Sequence, residues 1–545
     1  MRRSTLDELS GQTFDLAIIG GGITGACAAR DAALRGLSVV LLEKNDFASG
    51  TSSRSTKLLH GGLRYLQSYE FKLVREACHE RELMLKLAPH LCNVRPFIYV
   101  LYESYPESMF LLNVGLTIYD LFSGSPLKRR HHMLNASKLL EKEPHLNPRG
   151  LKGGGWYYDF LTDDARFTMD TIKGAWEAGA LAANYMQATG FVKEGGRIQG
   201  VEVDDLLQVR SGIVRAKQVI NTAGAWVDKV RFMEAGVKNR MLRPSKGIHI
   251  VVRKKDFPLQ QAVFLRSPRD QRVVWPIPAL DEDLVYIGTT DTDYSGPLDH
   301  VVATQEDIDY LLETANFAIP ESKLGYEHIV STWAGLRPLV KPEGEMAASA
   351  VSREHQIFTS PGGLLNIAGG KLTTARIMGL QVVQKAVEML EENYGMHGIP
   401  ASSSHRIPIS GGKADEIESA RKQASFLFVE PAIKERWLRV YGANFSKLAT
   451  LVLTEPSSGR DLGKNHITLA EVRHAVQEEM AQTITDFFTR RASIFYWQAD
   501  GGLEIAVQVA AEMGRLLNWD YEERERQIKS YQEWVSENRF AHAEA

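Results

Sequence analysis

The feature that most constrains the fold of this 545-residue chain is a glycine-rich turn between two short apolar runs. The first run, 14–19, ends at the sequence GGGITG (20–25), and the second run, 37–42, ends at Glu43. Residues 23–35 between them are rich in alanine and predict a helix. A buried strand, a glycine turn, a helix and a second buried strand form a βαβ unit. The sequence therefore predicts an α/β fold with a doubly wound parallel sheet.

The turn fits the G-x-G-x-x-G pattern in the context that the pattern requires. Gly20 permits the tight turn, Gly22 lets the backbone approach a pyrophosphate, and Gly25 allows close packing of the helix. The helix N-terminus favours phosphate charge. Glu43 ends the second strand, where a carboxylate can accept a hydrogen bond from a ribose hydroxyl. We therefore predict a dinucleotide site, the alternative being a chance glycine turn in an unrelated α/β protein.

Two further segments favour FAD over NAD. Residues 50–57 (GTSSRSTK) form a small, hydroxyl-rich stretch beside the expected pyrophosphate, where hydroxyls and backbone amides can serve phosphate and flavin oxygens. The alternative is a flexible serine loop. Residues 221–226 (NTAGAW) follow the apolar Val219-Ile220, as in a small-residue turn after a returning strand that closes the floor of an FAD domain.

Composition sets limits on the class of protein. Hydrophobic residues make up 44% of the chain and the formal net charge is -3, so a substantial core is expected and a nucleic-acid partner is not. The three cysteines have no metal-ligand spacing and predict buried thiols in a reducing compartment, with no metal site. No secretory signal or spanning segment is visible, and residues 1–13 read as a loose leader.

The organisation along the chain predicts two regions. A second glycine-rich strand, turn and helix occupies 363–380, and a serine- and glycine-containing linker follows at 401–412. From about 414 the pattern is helical, charged and low in glycine. We expect an oxidoreductase region at 14–395, with interleaved cofactor and substrate subdomains, and a C-terminal helical domain at 410–545.

Ordered motifs carry a family resemblance beyond the glycine turn. Residues 20–43 and 51–66 (TSSRSTKLLHGGLRYL) resemble the FAD-dependent glycerol-3-phosphate dehydrogenases. TDDAR (162–166), KGIH (246–249), IGTTD (287–291), WAGLRP (333–338) and GGKLT (369–373) follow in the same order. The resemblance implies a glutathione-reductase-like or D-amino-acid-oxidase-like FAD domain with a mixed-sheet substrate domain. It also implies oxidation of sn-glycerol 3-phosphate to dihydroxyacetone phosphate, with electrons passed from FAD to a membrane quinone.

The cofactor is expected to be non-covalent FAD. The residues expected to contact it are Gly20, Gly22, Ile23, Thr24, Gly25, Glu43, Thr51, Ser52, Ser53, Lys57, Leu58, His60, Gly61, Gly62, Thr222, Gly224, Gly370, Lys371, Leu372 and Thr373.

The implied reaction moves a hydride from carbon 2 of the substrate and a proton from its hydroxyl. A base or alkoxide stabiliser is therefore needed, and the phosphate needs arginine or lysine. The resemblance assigns catalysis to Arg337, His249 and Lys371. A surface arginine, a satisfied structural histidine and a solvated lysine are the respective alternatives. Arg64, Tyr65, Arg353 and Lys371 are the expected substrate ligands.

The expected partners are glycerol 3-phosphate, a membrane quinone, the lipid surface of the inner face of the cell membrane, and a second copy of the chain. An apolar stretch at 109–122, followed by basic residues at 128–132, suits a peripheral anchor, or equally a core helix with a solvated basic turn. Rival functions are an oxygen-using glycerol-3-phosphate oxidase, an amine-oxidising FAD enzyme such as glycine or sarcosine oxidase, and a non-catalytic flavin sensor.

Overall fold

The computed structural model describes residues 1–234, 236–280, 283–341, 354–463 and 466–539. The strands are β1 (Thr13–Ile19), β2 (Val39–Leu42), β3 (Leu58–Leu59), β4 (Asn93–Tyr102), β5 (His132–Asn135), β6 (Leu151–Leu161), β7 (Leu181–Ala183), β8 (Met186–Glu194), β9 (Arg197–Asp205), β10 (Arg210–Asn221), β11 (Leu242–Arg253), β12 (Ala262–Arg266), β13 (Val273–Pro278), β14 (Leu284–Gly288), β15 (Thr292–Asp293), β16 (Ile329–Val340), β17 (Gln356–Thr359) and β18 (Leu365–Ala368).

The helices are α1 (Leu6–Ser10), α2 (Ile23–Leu34), α3 (Phe71–Leu87), α4 (Met109–Ser123), α5 (Ala136–Lys142), α6 (Asp164–Glu177), α7 (Val227–Arg231), α8 (Gln305–Ala318), α9 (Ala375–Tyr394), α10 (Ala414–Phe426), α11 (Pro431–Tyr441), α12 (Phe445–Thr454), α13 (Leu469–Glu479), α14 (Ile484–Asp486), α15 (Ile494–Trp497), α16 (Ala506–Leu517) and α17 (Tyr521–Asn538).

The first sheet has the order β17-β18-β10-β1-β2-β7, with β8 and β9 added antiparallel beside β10. From β18 to β7 the neighbouring strands are parallel. Helix α2 packs against both α6 and α9, and the three helices together form the core on one face of this sheet. The predicted βαβ unit and doubly wound parallel sheet are confirmed, and the glycine turn lies at the carboxyl end of the central strand β1.

The N-terminal segment differs from the prediction of a loose leader. Thr5 and Glu8 form a capping box that starts α1. Leu6 and Leu9 are buried in the core on the face of the first sheet opposite α2. Arg3 forms an ion pair with Asp205 at 2.8 Å. The polar composition of this segment concealed its two apolar anchors, which one turn of helix places on the sheet.

The second sheet is mixed and has the order β15-β11-β14-β13-β12-β4-β6-β3, with β16 paired to β11 and β5 to β6. Strands β11 and β16 run antiparallel over almost their whole length, with His249 opposite Trp333 and Ser245 opposite Arg337. This pairing brings together two motifs that lie about ninety residues apart in the sequence, and it forms one wall of the candidate site.

The C-terminal region is helical from α10 onward, as predicted, although its boundaries as a separate domain stay a prediction. Helices α10–α12 share a core of their own. The later helices do not, because Phe487 and Tyr496 belong to the same buried cluster as Trp333 of β16. The helical region therefore packs on the second sheet through a continuous apolar core.

Buried ion pairs join this helical region to the first sheet. Arg491 donates two hydrogen bonds of 2.8 Å to Asp46, and Arg490 donates a third to the same carboxylate. Arg166 of α6 bonds Glu479 at 3.0 Å. We call Asp46, Arg166, Glu479, Arg490 and Arg491 the interdomain charge cluster. Although burial raises it, the pKa of Asp46 is lowered to about 2 by the charges of Arg491 and Arg490.

Two compositional expectations have different outcomes. Cys27 and Cys78 are buried free thiols as expected, whereas Cys92 is partly exposed. Burial raises the pKa of Cys27 to about 12, so this thiol is inert as a nucleophile near neutral pH. In the described part of the chain, no helix combines the length and the hydropathy that a membrane crossing requires.

Candidate active site

The glycine turn between β1 and α2 lines a cavity of about 400 Å³, which we call the nucleotide cavity. At Gly25, a Cβ atom would lie 1.9 Å from the carbonyl oxygen of Gly20, so only glycine permits this approach of helix to turn. Gly20 itself has a φ of +111°, a conformation that favours glycine. The predicted geometric roles of these two glycines are both present.

The N-terminus of α2 borders the same cavity. Gly22, the N-cap residue, has no side chain to cap the helix, and the Ile23 N–H instead donates to the Ser52 hydroxyl at 2.9 Å. Ser52 thereby fixes the serine-rich loop against the helix start. The positive end of the helix dipole at the cavity wall provides the environment that an anionic pyrophosphate requires.

Glu43 lies at the end of β2 and also lines the nucleotide cavity. Its carboxylate accepts hydrogen bonds from the Gly21 N–H at 2.7 Å and the Asn45 N–H at 2.9 Å. Burial raises the pKa of Glu43, although these two donors oppose the shift. The carboxylate is thus held rigidly against the glycine turn, where the ribose contact was predicted.

Most of the predicted cofactor residues line the nucleotide cavity. They are Gly20, Gly22, Ile23, Thr24, Glu43, Thr51, Ser52, Thr222, Gly224, Gly370, Lys371 and Leu372. The sequence prediction missed other wall residues, namely Lys44, Gln187, Ala188, Trp226, Lys229 and Asp299. Trp226 is within the NTAGAW motif, so the sequence did contain a signal for its position at the cavity wall. The meander β8–β9 that supplies Gln187 and Ala188 carries no local signal.

The nucleotide cavity fits an elongated dinucleotide such as FAD. It has a glycine cradle and a helix N-terminus for the pyrophosphate, and a carboxylate at the end of β2 for a ribose. At its far end it shares Thr51, Gly370, Lys371 and Leu372 with a second cavity, so a ligand in one reaches the mouth of the other. The residues that would hold FAD are therefore present.

We call the second cavity, of about 250 Å³, the substrate cavity. It brings together the predicted residues Leu58, His60, Gly62, Arg64, Tyr65, His249, Arg337, Gly370, Lys371, Leu372 and Thr373. They come from β3 and the segment that follows it (58–65), from β11 and β16, and from the turn after β18. These four segments are distant in the sequence, and the two sheets bring them to one point.

Charge is distributed unevenly in the substrate cavity. Its cationic lining residues are Arg54, Arg64, Arg272, Arg337 and Lys371, whereas Asp291 is the one carboxylate among the described residues that line it. Arg272 also bonds Asp270, which lies outside the cavity wall. The excess of cations makes the cavity a site for a small anion. Arg272 was missed by the sequence prediction because no motif contains it.

Arg337 is held near the end of β16. Its guanidinium donates to the Thr289 hydroxyl at 2.9 Å and to the Thr290 carbonyl oxygen at 3.1 Å, and it lies 3.3 Å from the Asp291 carboxylate. Thr289, Thr290 and Asp291 belong to the IGTTD motif. The structure therefore explains why these two motifs accompany one another: the second orients the arginine of the first.

His249 is buried on β11 between two neighbours. Its ring stacks on Trp333 with centroids 4.7 Å apart, and its Nε2 lies 3.1 Å from the Thr56 hydroxyl oxygen. Nδ1 is buried and has no hydrogen-bond partner within the described chain. Burial first, then the charges of Arg337 and Lys57, hold the pKa of His249 well below its ordinary value. The imidazole is therefore neutral near pH 7.

Lys371, Arg64 and Tyr65 form one group at the other side of the substrate cavity. The Lys371 ammonium lies 3.7 Å from the centre of the Tyr65 ring, and the Arg64 guanidinium lies 5.2 Å from it. Lys371 follows Gly369 and Gly370, which have φ values of +82° and +86°. This left-handed pair turns the chain sharply after β18 and presents Lys371 to the cavity.

His60 adds a second neutral imidazole. It lies partly buried beside the group just described, and burial first, then the charges of Lys371 and Arg64, lower its pKa to about 3. The backbone N–H of His60 is not available to a ligand, because it donates a hydrogen bond to the Thr373 hydroxyl at 3.1 Å. His60 is therefore an uncharged part of a strongly cationic cavity wall.

Four predicted cofactor residues line neither of the two cavities. Lys57 turns away from both cavities and forms a buried ion pair with Asp164 at 2.5 Å. Ser53 is buried, and its carbonyl oxygen accepts from the Lys57 ammonium at 3.1 Å. Gly61 packs on Cys78 and Tyr119 instead of on a ligand. Gly25 acts on helix packing alone. Arg353, a predicted substrate ligand, lies outside the described residues.

Ser53, Lys57 and Gly61 belong to the TSSRSTK and HGG motifs, which also hold lining residues such as Thr51 and Gly62. Each motif thus contains residues for the cavity wall and residues for its support. Sequence alone does not separate the two sets.

Comparisons with known proteins agree with this arrangement. Residues 15–384 match a family described as FAD dependent oxidoreductase, and residues 402–524 match the C-terminal domain of alpha-glycerophosphate oxidase. Two proteins named aerobic glycerol-3-phosphate dehydrogenase, from Staphylococcus haemolyticus and Bacillus subtilis, are each 38% identical to the chain. The alignments cover 94% of this chain and 92% of the first protein, and 95% of this chain and 94% of the second.

A solved structure shows the same likeness in three dimensions. The glycerol-3-phosphate dehydrogenase from Bacillus halodurans, complexed with FAD, superposes with a TM-score of 0.81 at 33% identity. The match covers 98% of this chain and 96% of that one.

Proposed function

Since the chain belongs to the family of FAD-dependent glycerol-3-phosphate dehydrogenases, we propose that it oxidises sn-glycerol 3-phosphate to dihydroxyacetone phosphate and passes the electrons to a membrane quinone. The observation that carries the proposal is the charge of the substrate cavity. Five cationic side chains and one carboxylate line a cavity of about 250 Å³ that opens on the nucleotide cavity. A small dianion bearing an oxidisable alcohol fits this combination.

The phosphate is assigned to Arg64 and Lys371. Both lie at the Tyr65 ring, and within the described chain no carboxylate pairs with Arg64. An arginine fork can bind two phosphate oxygens at once, and lysine adds a point charge. Arg337 is assigned to the other end of the substrate, because Asp291 and the Thr289 hydroxyl already fix its orientation. A preorganised guanidinium stabilises the alkoxide that develops as the hydroxyl proton leaves.

His249 is assigned to the hydroxyl proton. When bound, FAD supplies the hydride acceptor for carbon 2 of the substrate. The neutral imidazole of His249 can accept a hydrogen bond from the substrate hydroxyl, and the Thr56 contact fixes its ring. A bound phosphate dianion adds negative charge near this group of cations. That charge raises the pKa of His249 toward the range in which it can hold a proton.

The decisive experiment uses the purified flavoprotein under anaerobic conditions. Glycerol 3-phosphate should bleach the flavin band near about 450 nm, whereas glycerol at the same concentration should not. The Arg64→Gln variant should require a higher glycerol 3-phosphate concentration for the same bleaching. If glycerol 3-phosphate causes no bleaching in the unaltered protein, the substrate assignment is wrong.

The electron acceptor needs a separate measurement. One observation favours oxygen as the second candidate, namely the match of residues 402–524 to the C-terminal domain of alpha-glycerophosphate oxidase. A soluble quinone analogue and air are each added to the bleached protein. Rapid recovery with the quinone alone supports the dehydrogenase, and rapid recovery in air with formation of peroxide identifies an oxidase.

Contact with the inner face of the membrane is assigned to α4, at its solvent-facing side. Phe110, Leu121 and Leu127 are each 77% exposed. Phe110, Val114 and Leu121 lie on one side of α4, and the exposed basic residues Lys128 and Arg130 follow it. Leu112 and Leu116 on the opposite side pack in the core. An exposed apolar stripe beside basic side chains suits attachment to anionic lipid.

Co-sedimentation with anionic vesicles tests this surface. The double substitution Phe110→Ser and Leu121→Ser should reduce the bound fraction several-fold. Phe428→Ser, which removes a fully exposed aromatic ring from the helical region, is the matched control and should leave it unchanged. Equal loss in both variants would contradict the assignment to α4. Self-association into a homodimer stays a prediction.

A further inference from the structure

A third cavity, of about 330 Å³, separates the loop at 45–54 from the C-terminal helices. Asn45, Ser49 and Arg54 line its inner side, and Thr485, Ser530 and Trp534 line its outer side. It shares Ser49, Gly50, Thr51, Trp226 and Asp299 with the nucleotide cavity, but none of the glycine turn. We call it the interdomain cavity. It also shares Thr51, Arg54, Gly335 and Leu336 with the substrate cavity, but it contains none of the residues to which a step of the reaction is assigned above.

The other arginines at this cavity have carboxylate partners. Arg490 donates to both Asp46 and Asp486. Arg526 forms a two-pronged ion pair with Glu523. These guanidinium charges are therefore neutralised by the protein itself.

Arg54 is different from these neighbours. Within the described chain its guanidinium makes no hydrogen bond and no ion pair, although the side chain is largely removed from solvent. Its electrostatic neighbours are Tyr496 and Arg490, both of the helical region. Burial lowers the pKa of Arg54, the nearby Tyr496 opposes this shift, and the charge of Arg490 adds to it. Arg54 also borders the substrate cavity, whereas its neighbour Arg490 lines the interdomain cavity.

A desolvated cation without a counter-ion is costly, and proteins retain such a group where a ligand supplies the opposite charge. The surroundings of Arg54 indicate which charge that is. Ser49, Thr485 and Ser530 offer hydroxyl groups, and Asn45 offers an amide. The carboxylates that line the cavity are already paired with cations: Asp46 and Asp486 with Arg490, and Asp299 with Lys44 and Lys229. A guanidinium fork with neutral hydroxyl and amide donors matches a tetrahedral oxyanion better than it matches an apolar ligand.

We propose that the interdomain cavity binds a phosphate group, either as inorganic phosphate or as a small phosphate ester, with Arg54 as the principal ligand. The site is separate from the one at which substrate phosphate is held by Arg64. Its occupant would contact the first sheet's loop and the C-terminal helices together, and would therefore strengthen the association of the two regions.

The location of Arg54 links this site to catalysis. Its backbone packs on Gly335, where a Cβ would lie 2.8 Å from the Arg54 carbonyl oxygen. Gly335 is two residues before Arg337, and Thr51 in the same loop donates to the Leu336 carbonyl oxygen at 2.5 Å. A phosphate on Arg54 therefore acts on the segment that carries the alkoxide-stabilising arginine, and we expect it to change kcat.

Thermal unfolding of the FAD-loaded, full-length protein tests the binding. Wild type, Arg54→Met and Arg64→Met are each heated in a chloride buffer with and without inorganic phosphate. In chloride, Arg54→Met should be at least as stable as wild type, because the change removes an unpaired charge that is partly buried. Phosphate should raise the Tm of wild type most. The rise should be smaller in Arg54→Met, which lacks the interdomain site, and smaller in Arg64→Met, which lacks the phosphate ligand of the substrate cavity. A phosphate-dependent rise in Arg54→Met equal to that of wild type would overturn the proposal.

Kinetics separates the two sites. Phosphate should compete with substrate through the Arg64 site and, in addition, change kcat through the Arg54 site. The change in kcat should be reduced in Arg54→Lys and absent in Arg54→Met. Purely competitive phosphate effects in wild type, together with a raised KM in Arg54→Met, would instead assign Arg54 to the substrate cavity and overturn the proposal.

The same assay distinguishes the two sources of phosphate. Non-hyperbolic rates at high glycerol 3-phosphate that become hyperbolic in Arg54→Met would identify a phosphate ester as an occupant. Hyperbolic rates in wild type, combined with an Arg54-dependent effect of inorganic phosphate, would identify the free anion.

Discussion

The substrate cavity and the interdomain charge cluster both contain several arginines, but only in the cluster is their charge balanced by buried carboxylates. In the cluster, Asp46 receives three hydrogen bonds from Arg490 and Arg491, and Glu479 bonds Arg166. In the substrate cavity, five cations face one carboxylate among the described lining residues. The difference distinguishes cations that stabilise the fold through buried carboxylates from cations that are available to bind an anionic ligand. Substitutions in the two regions should therefore affect different measurements.

Asp46→Asn should have the largest effect on stability. It removes the charge that two buried arginines share, and loss of one partner from a buried ion pair costs roughly 3–5 kcal/mol. Urea unfolding monitored by far-UV circular dichroism measures the change. Asp7→Asn is the matched control, because Asp7 pairs with Arg210 on the surface, where an ion pair contributes about 0–1 kcal/mol. Equal losses in the two variants would remove the distinction between buried and exposed pairs.

Arg337→Gln should produce the opposite pattern in the substrate cavity. The rate of flavin reduction should fall by about 100- to 1000-fold, as expected when one preorganised donor to a developing oxyanion is lost. The free energy of unfolding should change by less than about 1 kcal/mol. Stopped-flow reduction and urea unfolding give the two numbers. Arg269→Gln, at an exposed pair with Glu313, is the control and should leave both unchanged.

The pH dependence of stability sharpens the comparison further. His60 has a pKa of about 3 in the folded protein and about 6.5 when unfolded, so only the unfolded chain binds its proton between these values. Stability attributable to His60 is therefore present above about pH 6.5 and falls by roughly 1.4 kcal/mol per pH unit below it. Urea midpoints at about pH 6.0 and 5.0 should differ less in His60→Leu than in wild type. The half-exposed His145→Leu serves as the control, and identical slopes in wild type and His60→Leu would contradict the expectation.

Ser52→Ala should have the smallest effect. It removes the acceptor for the Ile23 N–H, a capping interaction worth roughly 0.5–2 kcal/mol. Because Ser52 also lines the nucleotide cavity, FAD affinity should fall with stability. Ser108→Ala removes the cap of α4, where the Ser108 hydroxyl accepts from the Leu111 N–H, and it should cost similar stability without any loss of FAD. Fluorescence titration of released FAD measures the affinity.

Local chemistry made the first βαβ unit predictable. The turn at Gly20 and Gly25, the helix from Ile23 and the acid at Glu43 all depend on residues within about thirty positions of one another. Their geometry follows from backbone sterics and strand alternation. The substrate cavity was predictable only in part, because family motifs named Arg64, His249, Arg337 and Lys371 without saying how they meet.

The remaining parts could not be predicted because they depend on distant partners. Lys57 belongs to a motif beside the cofactor, yet its charge is taken by Asp164, which follows it by more than a hundred residues. Arg272 enters the substrate cavity through strand pairing alone. The segment at Leu6 and Leu9 appeared loose because two apolar residues carry little periodicity. The position of each of these residues is set by tertiary contacts with distant parts of the chain, which the local sequence does not reveal.

The bond between Asp46 and Arg490 spans 444 positions of the chain. At roughly 5–20 residues per second, a ribosome needs about 20–90 seconds to make the stretch between them. During that interval the nascent first sheet holds a carboxylate whose partners do not yet exist. A stalled or truncated product would keep Asp46 hydrated and the neighbouring loop open. Completion of the cofactor-holding half of the protein therefore waits for almost the last helices to be translated.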